Sequence, residues 1–129
     1  MPLRYLNRGF ARTALMPLYA EAQLGLVTPL RDGMNLVAKE YVAAQNPNDP
    51  GVLILSRFAG AARELKGAII VNPFDQIEMA EALDHALRMP LTERQDRWRR
   101  LMNALQRNDL ATWSDSFLDT LNTSERAAA

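Results

Sequence analysis

Asp32, Gly33, Asn35 and Glu40 fall within one short stretch, running from Thr28 to Glu40. Ionised carboxylates accept hydrogen bonds from hydroxyl groups. The first N–H groups of a helix have no partner inside it and carry the positive end of the helix dipole, so they donate to anions. A stretch that sets such donors beside an Asp32 side chain able to face a ligand suits a phosphate-bearing ligand. The bland alternatives remain open at this point. Asp32 also fits an N-cap-like turn residue, and Glu40 also fits a solvated helix residue. Most strand–glycine turn–helix junctions bind nothing.

The elements around the stretch follow from local pattern. Leu24 to Val27 is a short apolar run that reads as a buried strand. Pro29, Asp32 and Gly33 supply turn chemistry. A helix is predicted over about 35–45, with Glu40 about one and a half turns in and directed back toward its N-terminus. Asn46 to Pro50 is a turn-rich loop, and Gly51 to Leu55 is a continuous apolar run, the mark of a strand buried on both faces. Ser56 to Gly60 forms the loop at the C-terminal end of that strand, the end at which open α/β sheets bind ligands. A short helix over about 61–65 leads to a third strand, Ala68 to Val71.

Upstream, Leu3 to Leu6 is predicted as a short strand. Thr13 is predicted to cap a helix ending near Ala22, with Pro17 imposing a distortion or a later start. Downstream the chain is helical. Asp75 and Glu78 have capping-box spacing, as do Thr92 and Gln95. Pro90 separates the two helices. Trp98, Leu101, Met102 and Leu105 form one apolar stripe, and Leu110, Trp113, Phe117 and Leu121 another. Residues 1–122 are expected to form one domain and 123–129 a disordered tail.

The run from Gly25 to Gln45 closely resembles the signature of the trehalose-6-phosphate synthases, retaining glycosyltransferases of family 20. Gly51 to Ala62, Ala68 to Pro73, the N-terminal Arg4 to Phe10 and the helical tail with Trp113 and Phe117 resemble them too. The resemblance covers about residues 2 to 122 and corresponds to the C-terminal part of a far longer enzyme. It implies a GT-B fold, of which this chain is the partial Rossmann-like C-terminal half: α/β, a short parallel sheet flanked by helices, with a helical C-terminus. It implies transfer of glucose from UDP-glucose to glucose 6-phosphate, without a metal or another cofactor.

The resemblance also implies roles for residues. Phe10 would lie against the uridine. Asp32 would hydrogen-bond glucose hydroxyls, and Gly33 would let the backbone pass close to the donor. Met34, Asn35, Leu36, Val37 and Ala38 would offer N–H groups to sugar and diphosphate. Lys39 would lie within the site as local charge, and Glu40 would accept from the ribose hydroxyls. No catalytic residue is expected within the chain. The family's diphosphate-binding Arg and Lys and its acceptor site match nothing here. Charge-assisted hydrogen bonds are worth about 1.5–3 kcal/mol each, so donor binding by the isolated chain is expected to be weak and turnover undetectable. A non-catalytic binding or regulatory module, an inactive remnant, and a fragment of a glucosylglycerol-phosphate synthase are the competing readings.

If the sheet follows the doubly wound strand order, the Leu24–Val27 strand is an open edge. Leu3 to Leu6, a second copy of the chain, or a complementing N-terminal chain is expected to cover it.

Composition bounds the rest. The 129 residues are 48% hydrophobic, enough to fill the core of one domain. Lys plus Arg equals Asp plus Glu at 15 each, which argues for no nucleic-acid partner. The row of Arg94, Arg97, Arg99, Arg100 and Arg107 is flanked by Glu93, Asp96 and Asp109 and reads as a solvated face. There is no cysteine, and a single histidine, His85, cannot build a metal site. Asp84 beside His85 makes no dyad, because adjacent helical residues do not face each other. No apolar run approaches membrane-spanning length, and the N-terminus lacks a signal-peptide core. A cytoplasmic location is expected.

Overall fold

The computed structural model describes residues 3–127. In chain order the elements are α1 (Arg12–Glu21), β1 (Leu24–Val27), α2 (Leu36–Ala44), β2 (Val52–Ser56), a 3-10 turn (Gly60–Arg63), β3 (Ile69–Val71), α3 (Gln76–Leu87), α4 (Leu91–Arg107) and α5 (Leu110–Ala127). The three strands form one parallel sheet in the order β1-β2-β3. Leu24 pairs with Val52 at one end of the β1–β2 ladder and Val27 with Leu55 at the other.

β2 is the centre of the molecule, and all five of its residues are buried. Its side chains alternate between two apolar layers, as a strand's period of two requires. Leu53 and Leu55 face a core with Ala38, Tyr41 and Val42 of α2 and Leu101 of α4. Val52 and Ile54 face Val71 and the Ala82 and Ala86 side of α3. Tyr41 adds a polar anchor: its hydroxyl donates to the Ala22 carbonyl at 3.0 Å, and burial pushes its pKa up. Trp98 Nε1 donates to the Val42 carbonyl at 3.2 Å, tying α4 to α2. The buried Gln45 closes the base of the sheet, donating to the Tyr19 carbonyl and accepting from Gly51 N.

Several arginines of the α4 row have partners within the protein. Arg94 reaches Asp49 and the Pro50 carbonyl, Arg97 reaches Glu93 and the Gly67 carbonyl, and Arg100 pairs with Asp96. His85 Nε2 stands 4.0 Å from Glu93, while Asp84 pairs with Arg88.

Several local expectations are corrected. Leu3 to Leu6 is no strand: it joins no ladder, and its residues are exposed. An alternating tetrapeptide becomes a strand only beside a sheet edge, and no neighbour is offered here. α1 starts at Arg12 with Ala11 as its N-cap, so Thr13 does not cap it. Pro17 lies inside the helix on its exposed side and does not delay the start. Water there can take the carbonyl that loses its partner.

The 61–65 helix is a 3-10 turn over Gly60–Arg63. Asp75 caps α3 by accepting from Ile77 and Glu78 N–H, but Glu78 turns outward to Asn72 N (2.8 Å) and Arg57 instead of closing a box. α4 starts at Leu91 after Pro90, whose φ of -66° suits a helix entry, so Thr92 is not a cap. Gln95 reaches the Asn48 carbonyl instead. α5 spans Leu110–Ala127, and residues 128 and 129 lie outside the described residues.

Candidate functional site

The loop from β1 to α2 crosses the C-terminal end of the sheet and is laced to the loop that follows β2. Asp32 forms a parallel bridge with Ala59. Asp32 N–H donates to the Phe58 carbonyl at 3.3 Å, and Gly60 N–H donates to the Asp32 carbonyl at 2.9 Å. Ala61 N–H donates to the Met34 carbonyl at 2.7 Å. Three backbone hydrogen bonds therefore fix the main chain on both sides of Gly33.

Within this frame the Asp32 carboxylate is held at two points. Oδ1 accepts from Met34 N–H at 3.0 Å, and Oδ2 accepts from Asn35 Nδ2 at 2.9 Å. These bonds, Met34's first and Asn35's second, keep the Asp32 carboxyl below the usual carboxylate range. Near neutral pH the group is ionised and acts only as an acceptor. A carboxylate offers about four lone-pair sites, more than these bonds occupy.

Asn35 is the hinge of the arrangement. It is the single non-glycine residue with positive φ among the described residues, at 74°. Asparagine tolerates this left-handed conformation better than most residues. The conformation turns the Asn35 Oδ1 onto Ala38 N–H at 2.9 Å, making Asn35 the N-cap of α2. Asn35 is thus one step outside the helix that the sequence pattern began there.

The N–H groups of Met34, Leu36, Val37 and Ala38 divide into two sets. Met34 and Ala38 spend theirs on side chains of the loop itself. Leu36 and Val37, the first two helical residues, have no hydrogen-bond partner for theirs among the described residues, and both residues are exposed. They are the donors left for an anion at the helix N-terminus. Gly33 is exposed, and a Cβ built on it meets nothing within 4 Å, so the surface above it is open.

The remaining candidates stand apart from this centre. Lys39 Nζ pairs with Glu64 Oε2 at 2.9 Å, which ties α2 to the segment after the 3-10 turn. The half-buried Glu40 has no hydrogen-bond or ion-pair partner among the described residues. It borders a groove of about 690 Å³ with Arg12 and Met16 of α1 and Leu105 of α4. Phe10 is half-buried ahead of α1, with the Arg8 guanidinium 4.8 Å from its ring centroid. No bond joins Phe10 to the Asp32 loop.

Sequence reasoning placed the loop after β2 at the ligand end of the sheet but gave none of its residues a role. Phe58, Gly60 and Ala61 turn out to hold the site's backbone. Among the described residues no group of three or more His, Asp or Glu can hold a metal ion, and no helix is long and apolar enough to cross a membrane.

Comparison with known proteins gives one consistent picture. The model of glycosyltransferase family 20 matches residues 1–123. The trehalose-6-phosphate synthase of Sodalis glossinidius (strain morsitans) is 59% identical over 120 residues, which are 93% of this chain and 26% of that protein. The crystal structure of the α,α-trehalose 6-phosphate synthase from Burkholderia multivorans superposes with a TM-score of 0.89 at 57% identity, covering 98% of this chain and 27% of that one. The E. coli protein bound with UDP-2-fluoro glucose superposes with a TM-score of 0.88 at 56% identity, covering 93% and 27%. The chain spans about a quarter of the length of these relatives.

Proposed function

The chain belongs to glycosyltransferase family 20, and from that membership we propose that it forms the donor-binding part of a trehalose-6-phosphate synthase. In this reading residues 1–122 are the donor-binding domain, and the donor is UDP-glucose. The observation that carries the proposal is the α2 N-terminus, where two unengaged N–H groups stand beside a pinned, ionised carboxylate. Asp32 receives glucose hydroxyls. Gly33 lets the sugar lie against the main chain. Leu36 and Val37 N–H donate to the diphosphate, with Met34, Asn35 and Ala38 shaping the turn that presents them.

Glu40, unengaged at its groove, takes the ribose hydroxyls, and Phe10 takes the uracil face. Lys39 acts through Glu64 as local charge. The same division that occurs in dinucleotide folds supports these roles: phosphate on the helix N-terminus and an acidic residue on the ribose.

Transfer to glucose 6-phosphate requires an acceptor side that these residues do not supply. The β1 edge favours a partner for it: no strand pairs with its outer side among the described residues, and Leu26 is 44% exposed there. A complementing N-terminal chain is the occupant we propose, in a cytoplasmic setting, with a second copy as the competing outcome.

Calorimetric titration of the chain with UDP and UDP-glucose tests the donor reading, beside an Asp32→Ala, Glu40→Ala double variant. Weak binding that the variant loses supports it. Absence of binding at millimolar ligand overturns it and moves the non-catalytic module and the inactive remnant ahead.

A further inference from the structure

Gly60 stands where the loop after β2 meets the loop after β1. Its own conformation gives no reason for a glycine, because no described glycine has positive φ. The reason is space. A Cβ built on Gly60 falls 2.0 Å from the Gly33 carbonyl oxygen, 2.7 Å from the Gly33 carbonyl carbon and 3.2 Å from Met34 N. Real Cβ contacts essentially never fall below 3.0 Å, and the atoms met here are main chain, which cannot swing aside.

The same close approach lets Gly60 N–H reach the Asp32 carbonyl and Ala61 N–H reach the Met34 carbonyl. The residues so fixed are those on either side of Gly33. They also carry the bond from Met34 N–H to the Asp32 carboxylate.

We infer that Gly60 is a positioning residue for ligand binding: the absence of its side chain lets the β2 loop clamp the Asp32–Met34 main chain in the form that receives a ligand. The inference rests on the reading of this loop as the donor cradle. Gly60 touches no ligand in this account and acts only through its neighbours. An alanine here drives the Gly33 carbonyl back by about 1 Å, since 2.0 Å must become 3.0 Å. That displacement parts Met34 N–H from Asp32 and tilts the open end of α2. A misplacement of about 1 Å can cost an enzyme on the order of a hundredfold in rate, and a smaller but measurable loss is expected in affinity.

The test is Gly60→Ala, with Gly9→Ala as the control because a Cβ on Gly9 meets nothing within 4 Å. Two readouts are taken: the UDP-glucose dissociation constant, and the NMR titration of the Asp32 carboxyl carbon. Gly60→Ala is expected to weaken binding about tenfold and to move the Asp32 titration up toward the ordinary carboxylate value. Gly9→Ala changes neither. A Gly60→Ala chain that keeps wild-type affinity and a depressed Asp32 overturns the inference.

If the wild-type chain binds no UDP-glucose, the donor reading fails, while the Asp32 titration still decides whether Gly60 positions the loop. If Gly60→Ala does not fold, amide exchange in the wild type decides instead. Gly60 and Ala61 amides protected well beyond that of Arg31 support the clamp, and exchange at an open-loop rate overturns it.

Discussion

Asn35 has two functions that separate substitutions can part. Its side chain caps α2 through Ala38 N–H and pins Asp32 through Nδ2, and its backbone sits at a φ of 74°. Asn35→Ala removes the cap, which costs about 1 kcal/mol. It also places a residue with a Cβ and no local hydrogen bond in the left-handed region, at about 1–2 kcal/mol. The sum is about 2–3 kcal/mol, or roughly 10 °C in Tm for a domain of this size. Asn35→Gly keeps the φ without strain, and glycine at an N-cap costs only a few tenths of a kcal/mol relative to asparagine. Its Tm falls by roughly 3 °C or less.

Both variants lose the bond to Asp32 Oδ2, so both are expected to weaken UDP-glucose binding about equally. Thermal unfolding by circular dichroism and calorimetric titration on the same samples give the two numbers. An Asn35→Gly chain as unstable as Asn35→Ala refutes the argument from backbone conformation. Wild-type affinity in Asn35→Gly refutes the argument that pinning Asp32 matters to the ligand.

The depressed Asp32 pKa fixes the pH behaviour of the site. Because the folded value lies below the ordinary 3.8, its contribution is complete above about that pH and is lost as pH falls through the folded value. Donor binding is therefore expected to show no Asp32 step between pH 8 and pH 5, checked by titration calorimetry across that range. For the Lys39–Glu64 pair, side chains 19% and 36% exposed give a coupling of about 1 kcal/mol or less after solvent screening. A double-mutant cycle of Lys39→Met and Glu64→Gln in urea unfolding measures it. A loss of donor affinity in Lys39→Met that Glu64→Gln does not share would give Lys39 a direct ligand contact.

What the sequence made legible was the part of the fold written in local pattern. β2 is an uninterrupted apolar run because both its faces are buried, and the structure buries all five of its residues. β1 and α2 flank a turn rich in proline, aspartate and glycine, which punctuate a chain wherever they occur. The misreadings share one cause. Leu3 to Leu6 has the pattern of a strand, but a strand also needs a neighbour. Thr92 has the spacing of a capping box, yet Pro90 already sets the helix entry. Asn35 was legible as a residue of the helix N-terminus; its left-handed backbone, which moves it from first helical residue to cap, was not. Gly60 was legible as part of the ligand-end loop, but the carbonyl it must clear belongs to Gly33, on another loop. Pairing across such a distance leaves no mark at either position when one sequence is read alone.

The placement of that pairing carries a consequence for how the site is built. β1 is an edge strand, and an edge strand's loop ordinarily has support from one side only. Here the support comes wholly from the β2 side, through the Asp32–Ala59 bridge and the bonds from Gly60 and Ala61. β2 in turn is the most deeply buried element of the molecule, held between α2 and α4 on one face and α3 on the other. The bonds that hold the β1 loop therefore all come from residues of this chain. On the donor-binding reading, a chain covering the β1 edge would meet Asp32, Leu36 and Val37 already in position.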